Sequence, residues 1–148
     1  MDLKDIAFAL RAAYMAKLDN VLVVDSKLVP VYDTFVPNDA PSYFVVIKDH
    51  NEADNSTKQG FNTDVHITFD IVSRFPPGTG SSAPVDSVSN QLNSIIVAGD
   101  PANRISLLPD FNIMNAVRTL SRPITEESKV KNIFRKVNIY KHEIQQLT

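Results

Sequence analysis

An α+β fold, with a mainly antiparallel sheet flanked by two helices in one domain, is what this sequence predicts. Three observations carry the prediction. Apolar residues recur at helical spacing near the N-terminus and again around residues 85–96. Strict apolar–polar alternation runs from Asn62 to Arg74, the mark of a strand with one buried and one wet face. The order of elements is helix, several strands, helix, two strands, with no internal repeat and no boundary between domains.

The first helix is predicted over residues 3–18, where Leu3, Ile6, Ala7, Leu10, Tyr14 and Leu18 make one apolar face. Asp2 is its expected N-cap, and Asp19-Asn20 its expected stop. Val21–Val24 and Leu28–Tyr32 are short β-branched runs split by Asp25-Ser26-Lys27, either a hairpin or one strand with a lead-in. Residues 34–41 hold two prolines and read as a connection. Ser42–Lys48 reads as a buried strand, and Asp49–Gly60 as a long polar loop with no apolar anchor larger than alanine. After the alternating strand, Phe75–Ser82 forms a second loop. Pro84 then suits the opening of a helix striped by Val85, Val88, Leu92, Ile95 and Ile96 and ended by Gly99. Phe111–Leu120 is expected to be a strand closed by Arg122-Pro123. In the last strand, Lys131–Gln145, Ile133, Arg135, Val137 and Ile139 share a face.

The bulk numbers narrow the function. At 148 residues, 43% apolar and 22% charged, the chain is long enough to bury one ordinary core. A formal charge of −2 gives no general attraction for nucleic acid or anionic membrane. With no cysteine, disulfides, thiolate metal sites and a cysteine nucleophile are excluded. No apolar run approaches the ~20 residues that span a bilayer. Met1–Asp5 lacks the basic lead and apolar stretch of a signal peptide, so cytoplasmic synthesis is expected.

Catalytic constellations are poorly supported. His50, His66 and His142 stand at no metal-ligand spacing. Asp64, His66 and Asp70 share the wet side of the alternating strand, which makes a small ligand- or metal-binding face the alternative function, against a plain solvated sheet face. Gly78-Thr79-Gly80 lacks the lysine of a phosphate loop. The carboxylates Asp49/Glu52/Asp54 and Glu126/Glu127 sit in polar stretches where no desolvation raises a pKa. No enzyme activity and no cofactor are expected. Lys129, Lys131, Arg135, Lys136 and Lys141 make the C-terminal strand locally basic. They read as edge protection, or as the lining of a channel that DNA passes without being gripped.

The order and patterning resemble the tail terminator, or tail-completion, family of tailed bacteriophages. The resemblance rests on Leu3–Ala13, Val29-Pro30-Val31-Tyr32-Asp33, Ser42–Ile47, Thr63–Arg74, the helix at Val85–Ile96 and Phe134–Ile139. The proline usual between the aromatics of the second strand is absent at Tyr43-Phe44, and Asp100–Ser128 is longer than that pattern, which leaves room for a neck or head–tail ring. The resemblance implies a virion subunit without an active site. It implies a ring of identical copies, commonly six, stacked on portal-side, neck or tail proteins. Function would then reside in surfaces. Asp49, Asn51, Glu52, Asp54, Lys58 and Gln59 in the first polar loop are the expected contacts, with Arg74, Phe75, Pro77 and Thr79 around the second. Lys129, Lys131, Arg135 and Lys136 are the expected lumen or edge cations.

Overall fold

The computed structural model describes residues 2–97 and 104–148. Helix α1 (Ala7–Lys17) is followed by β1 (Val23–Val24), β2 (Lys27–Leu28), β3 (Val31–Asp33), β4 (Tyr43–Asp54) and β5 (Asn62–Phe75). Helix α2 (Ala83–Ile96), β6 (Phe111–Glu127) and β7 (Asn132–Gln146) complete the order. The fold class is α+β, as the patterning predicts. The main sheet has the order β3-β4-β5-β7-β6, antiparallel except where β3 runs parallel to β4.

Both helices pack on one face of this sheet. Ile6, Leu10, Tyr14 and Leu18 of the first helical segment and Val85, Val88, Leu92 and Ile96 of the second meet Val45, Ile47, Val65, Ile67, Phe69 and Ile71 in one buried cluster. Each fully buried aliphatic side chain there contributes about 1.5–3 kcal/mol. On the opposite face no helix lies among the described residues. Phe44, Val46 and Val72 are covered there by Tyr32, Val36 and Ala40, so the proline-bearing connection wraps around to the far side.

Several boundaries differ from the sequence expectation, each for a physical reason. Asp2 does not cap α1, which begins at Ala7. Its first free N–H groups, on Ile6 and Ala7, donate to the carboxylate of Glu52 on β4 (3.0 and 2.7 Å). Asp25 and Ser26 take positive φ (52° and 64°), which resolves the β-branched runs into the β1–β2 hairpin. The polar stretch Asp49–Asp54 is not loop but the second half of β4, paired with Thr63–Ile67 after a bulge between Ile47 and His50. Pro123 does not end β6, because that strand is at the sheet edge and the proline's missing N–H costs no internal ladder bond. The helix end expected at Gly99 lies outside the described residues.

In the last strand Ile133, Arg135, Val137 and Ile139 share a face, as expected, and it is the one away from the helices, while Asn138, Tyr140, His142 and Ile144 face the core. A polar spine results. Tyr140 donates to Asn93 Oδ1 (2.6 Å), and Asn138 Nδ2 donates to Ser89 Oγ (2.9 Å), tying β7 to α2. His142 Nδ1–H faces Val65 O at 3.4 Å, which leaves Nε2 to accept from the Tyr14 hydroxyl (2.5 Å) and ties β7 to α1. Burial drives the Tyr14 hydroxyl well above the ordinary phenol pKa, and pushes Tyr140 up to about 12.

Candidate assembly surfaces

The expected contact residues fall into two groups at opposite ends of the sheet. β5 has 14 residues, which at the usual rise separates its ends by roughly 43 Å. Asp49, Asn51, Glu52, Asp54, Lys58 and Gln59 belong to the β4–β5 hairpin at one pole. Arg74, Phe75, Pro77 and Thr79 lie at the other, beside the β6–β7 turn that carries Lys129 and Lys131.

At the first pole, only residues 55–61 are a true connection, closed by the Thr57–Gly60 bridge. Lys58 and Gln59 are exposed at its tip. Asp54 accepts from the hydroxyl of Ser56 and then from its N–H, and these bonds hold its carboxyl below the ordinary value. Glu52 is taken up by the start of α1, so it is a positioning group as well as a surface one.

At the second pole, Phe75 stacks between Tyr43 and Phe134, with ring centroids 5.9 and 5.8 Å away. Arg74 lies over the Phe44 ring at 4.7 Å, an arrangement that fixes its side chain on the open face. Thr79 N–H and hydroxyl both bond to Pro76 O (3.2 and 2.7 Å), so Gly78-Thr79-Gly80 is a self-contained turn. Gly80 sits at φ +100°, and a Cβ there would run into the Phe75 side chain. Asn132 Nδ2 donates to Thr79 O (3.2 Å), clasping this loop to the β6–β7 turn around an open concavity of about 550 Å³.

Arg135 and Lys136 do not protect an edge, because β7 lies between β5 and β6. Both are ion-paired. Arg135 reaches both oxygens of Asp70 (3.2 and 2.6 Å) and Glu126 (2.9 Å), and the Asp70 bond is the main cause of its raised pKa. Lys136 bonds Asp86 at the start of α2 (3.0 Å). Lys129 and Lys131 are exposed at the turn.

The same ion pair decides the Asp64/His66/Asp70 face. Asp70 is only 4% exposed and its carboxylate is occupied by Arg135, while Lys141 stands 3.8 Å from Asp64. Cations one strand away already balance these carboxylates. Among the described residues no group of three or more His, Asp or Glu is placed to hold a metal ion.

Sequence reasoning missed two surfaces. Beyond Asp33, β3 stops and Thr34 turns the chain away at φ +68°, a conformation rare for a β-branched residue. Thr34 N–H bonds Ile47 O (2.9 Å), and the Arg11 guanidinium holds its hydroxyl, Asp33 and the carbonyls of Ile47 and Lys48. That clamp leaves the outer side of Lys48–Asp54 without a strand partner among the described residues and sets Phe35 in solvent, 84% exposed. On the far side of the sheet, β6 is an edge strand presenting Met114, Val117 and Leu120, the last 45% exposed. Its alternation is broken by register shifts at Ile113/Asn115 and Arg118/Leu120, which hides the pattern in the sequence.

No family model matches the chain, and no curated protein matches it either. Among solved structures it is similar to a chain of the virion of a native gene transfer agent (GTA) particle, with a TM-score of 0.62 and 16% identity. The match covers 95% of this chain and 91% of that one. At this identity the likeness is one of fold, and it extends over nearly the whole of both chains.

Proposed function

We propose that this chain is a structural subunit of a phage-like virion, forming a ring at the head–tail junction or the tail end that joins or terminates the tail during assembly. The observation that carries the reading is the fold shared, nearly end to end, with a component of a gene transfer agent virion. The surfaces support it. Two loop-bearing poles at opposite ends of long strands suit a subunit stacked between unlike neighbours, and two open sheet edges suit lateral contact with copies of itself. On this reading the protein is a single domain without catalytic role or cofactor, made in the host cytoplasm and resident in the virion. Its partners are itself and adjoining neck, portal-adaptor or tail proteins, with DNA passing nearby. The exposed Lys129 and Lys131 are the cations free to face that passage.

The test is the mass of the purified protein across concentration by light scattering, with particles viewed by electron microscopy. Closed rings of six or twelve copies are expected. A chain that stays monomeric, yet gains thermal stability on titration with a specific metal or small ligand, would overturn the reading in favour of a binding domain.

A further inference from the structure

The two open edges of the sheet complement each other in length, direction and charge. Lys48–Asp54 of β4 have no strand partner on their outer side among the described residues, although the Lys48 carbonyl is taken by Arg11 (2.7 Å). Over these seven residues Lys48 is opposed by Asp49, Glu52 and Asp54, a net −2. The start of β6 is partly covered, since Arg104 donates to Met114 O. From Asn115 to Arg122 its outer side has no partner among the described residues. That stretch of eight carries Arg118 and Arg122, no acid, and the exposed Val117 and Leu120. Neither arginine is ion-paired among the described residues. Long apolar edges are ordinarily blunted by charge, proline or a covering element, because they recruit other strands. Here the stretch before Pro123 has no covering element among the described residues, and its only charges are the two arginines, which an acidic strand would neutralise.

We infer that β6 of one copy pairs antiparallel with the open half of β4 of the next copy, so that the sheet runs on from subunit to subunit. The inference rests on the ring reading above and names its lateral contact. Within one chain β4 and β6 already run in opposite directions, being separated by three antiparallel steps. A neighbour related by rotation about a ring axis therefore presents β4 antiparallel to β6 with no reversal. The contact is head-to-tail, and such contacts close into rings when the rotation permits. The register is constrained as well. Arg118 points to the helix-covered face, as do Glu52 and Asp54, since its partner Tyr140 and their partners Val65 and Thr63 all do. Setting Arg118 opposite Glu52 brings Pro123 near Ile47, where β3 already occupies the edge. The proline thus falls where pairing has to stop.

Charge reversal tests this. Arg118→Glu with Arg122→Glu, or Asp49→Lys with Asp54→Lys, should each raise the concentration at half-assembly by about tenfold or more at physiological salt. All four substitutions in one chain should recover part of the lost assembly, since Glu52, which receives the first N–H groups of α1, stays in place opposite residue 118. Circular dichroism checks that each variant keeps the fold, Asp54 being bonded to Ser56 in the hairpin turn. Because the chain has no cysteine, Ala53→Cys with Val117→Cys on the open face gives an independent readout. Oxidation should produce a ladder of covalent oligomers ending at the ring number. Rings that persist in both reversed variants and yield no ladder would overturn the pairing and leave the ring reading standing. A wild-type chain that is monomeric at every concentration and is stabilised by a specific metal or small ligand would overturn both.

Discussion

At the scale of single residues, the chain keeps its least solvated polar groups for holding elements together. His142 is fully buried between Tyr14 and Val65, and burial lowers its pKa to about 4. In the unfolded chain the imidazole titrates near its ordinary value of about 6.5. The sign follows directly. Above pH ~6.5 both states hold the ring neutral and the fold loses nothing. As pH falls toward 4, the unfolded chain takes up a proton that the folded one refuses, and stability drops by up to about 3 kcal/mol. Urea unfolding between pH 7 and 4 should show that decline, and His142→Gln should flatten it while lowering stability at pH 7. A slope unchanged by the substitution would place the acid sensitivity elsewhere.

At the scale of elements, α1 depends on a strand residue 45 positions beyond its own first residue in sequence. Glu52 supplies the negative acceptor that its N-terminal N–H groups lack locally. Glu52→Ala should cost about 1–2 kcal/mol in urea unfolding, with Glu52→Gln recovering part of it. Equal stability of the two variants would show that the carboxylate charge has no role. This contact also explains what the sequence did and did not disclose. The apolar stripe through Ile6, Leu10, Tyr14 and Leu18 announced the helix, and Val65–Ile71 announced the central strand, because each has one clean period and one dry face. Asp49–Asp54 looked like loop because its pairing with β5 is made by backbone, with mostly exposed side chains. Pro123 looked like a terminator because an edge and an interior strand are indistinguishable until the sheet order is known. The polar stretches that carry the two contact groups are legible in the sequence, but that they stand at opposite poles depends on β5 spanning the sheet.

At the scale of the whole molecule, the sheet is two long hairpins joined along one seam. β4–β5 and β6–β7 each connect neighbours in sequence, whereas β5 and β7 pair residues separated by 57 positions (Phe75 to Asn132) up to 83 (Asn62 to Gln145). The seam runs the full length of β5, and α2 is threaded between its two sides. Its consequence is kinetic. The hairpins can form early, but the seam must wait for a large loop to close, and contacts of that range slow folding. Refolding from urea, followed by stopped-flow circular dichroism, should therefore take milliseconds to seconds, and a microsecond phase recovering the full signal would contradict this. Until the seam shuts, β5 offers its inner edge and the apolar row Val65, Ile67, Phe69 and Ile71 to whatever strand arrives first. Where many copies are made at once, that strand can be the β7 of a sibling, so each nascent chain races its own C-terminus against its neighbours'.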